Sequence, residues 1–185
     1  MIVSIHQPNF LAWLPFFLKM AASDVFVLLR HCQFTNSGYQ HYFKLDNKRY
    51  IMHIARSMQP VVDMMYVAPE RDWQKIREAL PKYATKLDSF SSHVGPLLSV
   101  TNEAIIRDIA VRLGITTRIE RDWPTEANGD DRLIEICKKF GATTYIAGQS
   151  GPRYMDMAKW REAGIRVEVQ SIEEKDRRGI LEVLG

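Results

Sequence analysis

Residues 1–17 read MIVSIHQPNFLAWLPFF, and this stretch decides how the rest of the chain is interpreted. Residues 2–5 are a short apolar run that predicts a buried strand. Residues 12–22 are apolar on nearly every side of a helix, which is typical of a buried helix, and Pro15 fits only in its first turn. Between these two elements stands HQPN, residues 6–9, which carries more hydrogen-bonding groups than a turn needs.

Strands and helices alternate along much of the chain. Residues 25–29, VFVLL, predict a second buried strand, and a strand–helix–strand unit of this length implies parallel strands with a right-handed crossover. In the C-terminal half, Gly114, Gly141 and Gly164 each stand where a helix C-cap is expected, ahead of a strand-like run. Thr101 is the predicted N-cap of another helix. The alternation predicts an α/β fold with a mostly parallel, doubly wound sheet flanked by helices.

The segment after the second predicted strand has a different pattern. Residues 40–45 and 49–56 alternate between polar and apolar side chains around the turn at residues 46–47, which predicts a β-hairpin. A helix is predicted to begin at Pro69. Because no linker is long enough to separate domains, we expect a single domain over residues 1–185, with the hairpin inserted after the second strand.

Composition limits the classes of function. The 185 residues carry a formal net charge of +3, which suits an anionic small-molecule substrate and falls short of the footprint of a nucleic-acid-binding protein. No apolar run reaches the roughly 18–20 residues of a membrane span, and the chain does not open like a signal peptide, so we expect a cytoplasmic protein. Cys32 and Cys137 lack the spacing of a metal site, so we expect reduced thiols and no metal, and no motif specifies a cofactor.

Two predicted strands are followed by unusual polar residues. HQPN follows the first strand, and GQSG, residues 148–151, follows the strand predicted at residues 143–147, just before a predicted helix. The glycines expose backbone N–H groups, and Gln149 and Ser150 add an amide and a hydroxyl, which together suit an anion. Alone, GQSG is better explained as a turn with Ser as a helix N-cap, and His6 alone is equally well explained as a structural histidine. Ligands of open parallel sheets bind beyond the carboxyl ends of the strands, so the pair favours a site.

The two motifs are expected to form the halves of one site. Adjacent parallel strands lie about 4.8 Å apart, which brings the loops that follow them together. We therefore expect His6 and Ser150 to line one concave pocket, with Gln33 on its wall and Trp13 closing its floor. His6 is the predicted general base, because histidine titrates near neutrality without special tuning. The alternative is that His6 is structural and each motif is an independent turn.

Several segments, in this order, resemble the WbqC-like family. IHQPNFLAWL at residues 5–14 is followed by SDVFVLL at residues 23–29 and by QF at residues 33–34. RLIEICKKFGATTYIAGQSGPRYMD at residues 132–156 resembles the family's C-terminal signature, and GIRVE at residues 164–168 resembles its closing strand. The resemblance covers nearly the whole chain.

The resemblance implies a class of function and a set of positions. Such proteins are associated with the biosynthesis of surface polysaccharide and lipopolysaccharide, and with modification of an activated sugar by group transfer. This chain departs from the family pattern at residues 31–32, where His-Cys replaces acidic residues, and at residues 41–42, where His-Tyr replaces Asn and Arg. The motif positions that carry over are His6, Gln7, Asn9, Trp13, Gln33, Gln40, Gly148, Ser150, Gly151, Tyr154 and Asp156.

The leading hypothesis is acyl or aminoacyl transfer onto an activated, nucleotide-linked sugar in surface-polysaccharide biosynthesis. In this hypothesis Gln7, Asn9 and Gln33 orient the sugar, and the turn at residues 148–151 holds phosphate or a developing oxyanion. The departures from the family pattern leave a second hypothesis open: a protein that binds or modifies a nucleotide or a modified base, as in phage nucleotide chemistry, without acylating a sugar. Both hypotheses expect a small anionic or nucleotide-linked partner.

Overall fold

The apolar runs of the sequence form the strands of a mixed α/β fold in the computed structural model, which describes residues 1–55 and 59–185. The strands of its parallel sheet are β1 (Ile2–His6), β2 (Val25–Leu28), β5 (Arg118–Arg121), β6 (Thr144–Ala147) and β7 (Arg166–Val169), and the strands of a separate antiparallel hairpin are β3 (Tyr42–Leu45) and β4 (Lys48–Ile51). The order in the sheet is β5-β2-β1-β6-β7. This confirms the predicted parallel sheet with a hairpin after the second strand.

Helices cover both faces of the sheet. They are α1 (Leu14–Ala21), α2 (Pro69–Ala79), α3 (Ala84–Asp88), α4 (Leu98–Arg112), α5 (Gly129–Lys139), α6 (Met157–Glu162) and α7 (Ile180–Val183). Phe26 and Leu28 of β2 share a core with side chains of α1 and α4, whereas Val25 and Val27 share a second core with side chains of α5 and α6. Successive side chains of β2 thus point to opposite faces of the sheet and contribute to both cores, as expected of a doubly wound sheet.

Local signals placed most elements correctly. Gly114, Gly141 and Gly164 have φ angles of 68°, 66° and 71°, a conformation that strains residues with a Cβ, and they end α4, α5 and the helix before β7. The hairpin forms as predicted, but β4 ends at Ile51, earlier than the strand predicted over residues 49–56, whose last residue lies outside the described ranges. No helix in the described part of the chain has the length and apolarity needed to cross a bilayer.

Two predicted helix starts are wrong. α4 begins at Leu98, so Thr101 lies within its first turn; its hydroxyl instead bonds the backbone of Gly95, accepting at 3.0 Å and donating at 3.1 Å. After GQSG the chain forms a 3-10 turn, Gly151–Arg153, and α6 begins only at Met157. GQSG therefore does not stand at the N-terminus of an α-helix.

β1 and β6 mark the point at which the order of the sheet reverses. They are parallel neighbours, with Ser4 opposite Ile146, and β2 and β5 lie beyond β1 whereas β7 lies beyond β6. In doubly wound sheets the connections on either side of such a point diverge and leave a crevice beyond the carboxyl ends of the two strands. The HQPN and GQSG motifs both stand at this crevice.

Candidate functional site

A cleft of about 650 Å³ opens at this switch point. One wall is the turn after β1 with the start of α1, and another is the loop after β6 at residues 148–150. The hairpin turn at residues 44–47 and the C-terminal segment at residues 170–182 complete it. Its volume is that of a small-molecule site. A smaller concavity, of about 370 Å³, lies between α6 and β7 and contains none of the predicted site residues.

Most of the predicted site residues line this cleft. They come from the HQPN turn and from the GQSG region: His6, Asn9, Trp13, Gly148, Gln149, Ser150 and Tyr154. His6 and Ser150 therefore lie along one cleft, as expected from the adjacency of β1 and β6. Trp13 is 42% exposed, so it lies at the mouth of the cleft and does not close its floor.

Gln7, which is half-buried, and Gln40 both lie outside the cleft. Gln40 is fully buried, and its amide donates to the side-chain oxygen of Gln7, whose own amide donates to Sγ of Cys32 at 3.0 Å. Asn102 of α4 donates to the carbonyls of Gln40 at 2.7 Å and of Pro8 at 2.8 Å. These bonds fix the shape of the HQPN turn, which is a positioning role and not the sugar contact that the sequence predicts for Gln7.

Gln33, Gly151 and Asp156 also fall outside the cleft. The expectation that Gln33 lies on the wall of the pocket is wrong, because the chain turns away after β2; the Gln33 side chain is exposed and its amide donates to the carbonyl of Gln59 at 3.4 Å. Gly151 is buried against the end of β6. Asp156 caps α6, accepting from a backbone N–H of that helix at 3.0 Å.

His6 points from β1 toward α1, and its ring meets the ring of Phe16 edge-on, with centroids 5.0 Å apart. Its Nδ1 lies 3.0 Å from the carbonyl oxygen of Gln7, and since a carbonyl only accepts, we assign the proton to Nδ1 and a lone pair to Nε2. Burial, together with the charge of Lys19, lowers the pKa of His6 to about 3. The premise that His6 titrates near neutrality is therefore wrong, and at neutral pH it is an uncharged imidazole with one acceptor nitrogen.

The low pKa of His6 predicts an acid-sensitive fold. A histidine with a depressed pKa contributes stability that is present above its unfolded pKa, 6.5, and is lost as the pH falls toward its folded pKa of about 3. At about pH 4.5, roughly two pH units below the unfolded pKa, the loss due to His6 is about 3 kcal/mol, because one pKa unit corresponds to about 1.4 kcal/mol.

His6→Asn should remove this component, since asparagine keeps a donor for the carbonyl of Gln7 and does not titrate. The free energy of unfolding, measured with urea at about pH 7.5 and pH 4.5, should fall by about 3 kcal/mol more in the parent protein than in the variant. Equal losses in the two proteins would contradict a desolvated, neutral His6.

Lys19 lines the cleft, and the sequence analysis missed it. It belongs to α1, is only 3% exposed, and its Nζ donates to the carbonyl of Ile5 at 2.9 Å. Burial alone lowers the pKa of Lys19 to about 7, so roughly half of the molecules hold a neutral amine at neutral pH. One signal was present: Lys19 is the only charged residue of a helix that the sequence already marks as buried nearly all round.

The mouth of the cleft carries aromatic rings and positive charge. Tyr154 is 75% exposed and Tyr39 is 46% exposed, and both line the cleft. Lys44 and Arg178 line the same mouth, are exposed, and form no ion pair with another residue of the described chain. Rings beside free cations suit an anionic ligand that also carries a base or a sugar ring.

The loop after β6 supplies further donors. Within the described ranges, the backbone N–H groups of Gln149 and Ser150 donate to no protein acceptor, and both residues line the cleft. Glu182 also lines it, but its carboxylate is engaged by the N–H of Gly179 at 2.7 Å. Asp46, which is exposed, lines it as well, so the cleft offers donors and cations together with these two carboxylates.

A separate group of charged residues ties together the carboxyl ends of β2 and β5. The side chain of Asp122 is fully buried and accepts from the N–H of Arg30 at 2.8 Å, from Nδ1 of His31 at 3.0 Å and from Nη2 of Arg132 at 2.7 Å. His31, one of the departures from the family pattern, thus serves this network and not the cleft. Within residues 1–55 and 59–185, no three metal-ligating side chains come together in a group that could hold a metal ion.

Comparisons with known proteins agree with the sequence motifs. The model of the WbqC-like protein family matches residues 7–177. A protein of Mycobacterium tuberculosis (strain ATCC 25618 / H37Rv), named uncharacterized protein Rv1507c, is 26% identical over 192 residues, which cover 89% of this chain and 80% of that protein. No solved structure matches the chain. The family match includes Asn9 and Trp13 and the whole loop after β6, whereas His6 and Arg178 lie just outside it.

Proposed function

The chain belongs to the WbqC-like protein family, and from this premise we propose that it is a group-transfer enzyme that moves an acyl or aminoacyl group onto an activated, nucleotide-linked sugar in surface-polysaccharide biosynthesis. One observation carries the proposal: two separate family motifs converge on a single cleft of about 650 Å³ with unpaired donors and cations. In open α/β sheets, ligands bind in the crevice at such a switch point.

The positive charge at the mouth of the cleft favours an anionic ligand. Lys44 and Arg178 are placed to bind the diphosphate of a nucleotide sugar, and Trp13, Tyr39 and Tyr154 offer surfaces on which a base or sugar ring stacks. A diphosphate at the mouth directs the sugar toward the inner wall, where His6 and Asn9 lie.

The chemistry of acyl transfer needs donors for a developing oxyanion and an acceptor for the attacking group. The free N–H groups of Gln149 and Ser150 fill the first role. Nε2 of His6 fills the second, accepting the hydrogen bond of the attacking hydroxyl or amine. Because the pKa of His6 is about 3, this imidazole orients the nucleophile more than it removes its proton.

Ligand-induced stabilisation tests the proposal. A uridine diphosphate sugar at about 100 times its dissociation constant should stabilise the fold by about 2.7 kcal/mol, which corresponds to roughly 5–10 °C in the thermal midpoint for a chain of this size. Arg178→Glu and Lys44→Glu should abolish most of the shift. Lys138→Glu, the same charge change on the exposed side of α5, should leave it unchanged.

The binding-protein hypothesis has one observation in its favour: a histidine with a pKa of about 3 is a weak base at neutral pH. The same measurement separates the two functions. Stabilisation by both a nucleotide sugar and an acyl donor, such as acetyl coenzyme A, supports the transferase. Stabilisation by nucleotides alone supports binding without transfer, and no shift with any nucleotide contradicts both.

A further inference from the structure

Lys19 has no structural partner that accounts for burying an amine. Among the described residues, its Nζ makes a single hydrogen bond, to the carbonyl of Ile5. The nearby hydroxyls of Ser4 and Ser23 bond each other at 2.7 Å and make no bond to Nζ. The titratable group that faces Lys19 is His6, which is uncharged at neutral pH, and no carboxylate of the described chain pairs with the amine.

The position of Lys19 gives its amine access to a ligand. It lines the cleft together with Phe16 and His6, while the cations Lys44 and Arg178 stand at the mouth. An apolar wall favours uncharged nitrogen, and desolvated lysines in such walls are the ones that attack carbonyl groups.

We propose that Lys19 is a covalent binding site, whose amine forms an imine with the aldehyde or ketone group of a phosphorylated or nucleotide-linked sugar seated in the cleft. The Nζ lone pair attacks the carbonyl carbon and a C–N bond forms. The carbonyl oxygen leaves as water with the two protons of the amine, and a C=N bond remains. The step needs no oxidant or reductant. This inference rests on the proposed function in one respect, namely that the cations at the mouth of the cleft bind the anionic part of the ligand. It adds that the ligand carries a carbonyl group.

Trapping with borohydride tests the imine without knowledge of the natural ligand. Pyridoxal 5′-phosphate is the probe, because it joins an aldehyde to a phosphate. After incubation at about pH 7.5 and reduction, mass spectrometry of peptides should find one adduct per chain, on Lys19. A surface lysine of ordinary pKa is neutral in only about one molecule in a thousand at this pH, so preference for Lys19 should be about 100-fold or more.

Matched variants and a second probe complete the experiment. Lys19→Met should lose the adduct, whereas Lys138→Met, on the exposed face of α5, should keep it. Pyridoxal, which lacks the phosphate, should label Lys19 at least about 10-fold more slowly, a difference that one lost ion pair of about 1.4 kcal/mol produces. Equal labelling rates for the two probes would contradict binding of the phosphate by the cations at the mouth.

The outcomes separate this inference from the proposed function. Adducts spread over surface lysines, or adducts that persist in Lys19→Met, overturn the imine. Stabilisation by a uridine diphosphate sugar without any Lys19 adduct also overturns it while leaving the group-transfer proposal standing. An adduct on Lys19 in a protein that no nucleotide stabilises would support the covalent site and contradict the proposal of a nucleotide-linked ligand.

Discussion

Asp122→Asn is expected to lower the free energy of unfolding by about 3–5 kcal/mol, because it removes one partner of a fully buried ion pair. Arg132 is 6% exposed, and its Nη2 would lose its carboxylate partner at 2.7 Å while the guanidinium stays charged. The new side-chain amide would also present a donor to the donors of Arg30 and His31, which Asp122 now satisfies. Chemical denaturation at neutral pH measures the loss.

Asp88→Asn is the matched control, because it also removes a carboxylate from an arginine, Arg77, but at the surface. Both side chains of that pair are exposed, so the expected cost is below about 1 kcal/mol. The double variant Asp122→Asn/Arg132→Met should recover part of the loss, since it removes the unpaired buried cation. A similar cost for Asp122→Asn and Asp88→Asn would show that the buried pair is not stabilising the junction of β2 and β5.

The fold was predictable from the sequence wherever the signal is local. Gly114, Gly141 and Gly164 adopt a left-handed backbone conformation, and local steric effects alone make glycine the preferred residue there. Each could therefore be placed at a helix end without knowledge of its tertiary contacts. Thr101 shows the limit. Its side chain resembles an N-cap, but Gly95 offers it both a donor and an acceptor, and α4 begins earlier, at Leu98.

The site was predictable only in outline. That the loops after β1 and β6 meet follows from the geometry of parallel strands, so His6 and Ser150 could be paired across the sequence. Gln33 could not be placed, because the direction of a chain after its strand ends depends on tertiary contacts such as its bridge to Pro60. The C-terminal wall of the cleft, which includes Arg178, could not be predicted from local sequence either. Its position depends on long-range bonds, such as the one from the N–H of Leu14 to the carbonyl of Arg178 at 3.0 Å.

Lys19→Met is expected to raise the free energy of unfolding by about 2–4 kcal/mol at pH 7, while removing an amine from the cleft. The folded pKa of Lys19, about 7, lies below its ordinary value of 10.5, so between these values the unfolded chain binds a proton that the folded chain does not. Stability of the parent protein therefore rises with pH across this window. Each pKa unit corresponds to about 1.4 kcal/mol, from which about 1 kcal/mol is lost with the bond to the Ile5 carbonyl.

The pH dependence distinguishes this cause from better packing of methionine. The gain from Lys19→Met should be largest near and below pH 7 and should shrink as the pH approaches about 10, because the unfolded lysine then loses its proton as well. Lys138→Met, on the exposed face of α5, should change stability by less than about 0.5 kcal/mol at every pH. A gain that is independent of pH, or a loss, would contradict a desolvated amine. A side chain that destabilises the fold and lines its main cleft is better explained by ligand chemistry than by structure, since methionine would fill the same space at lower cost.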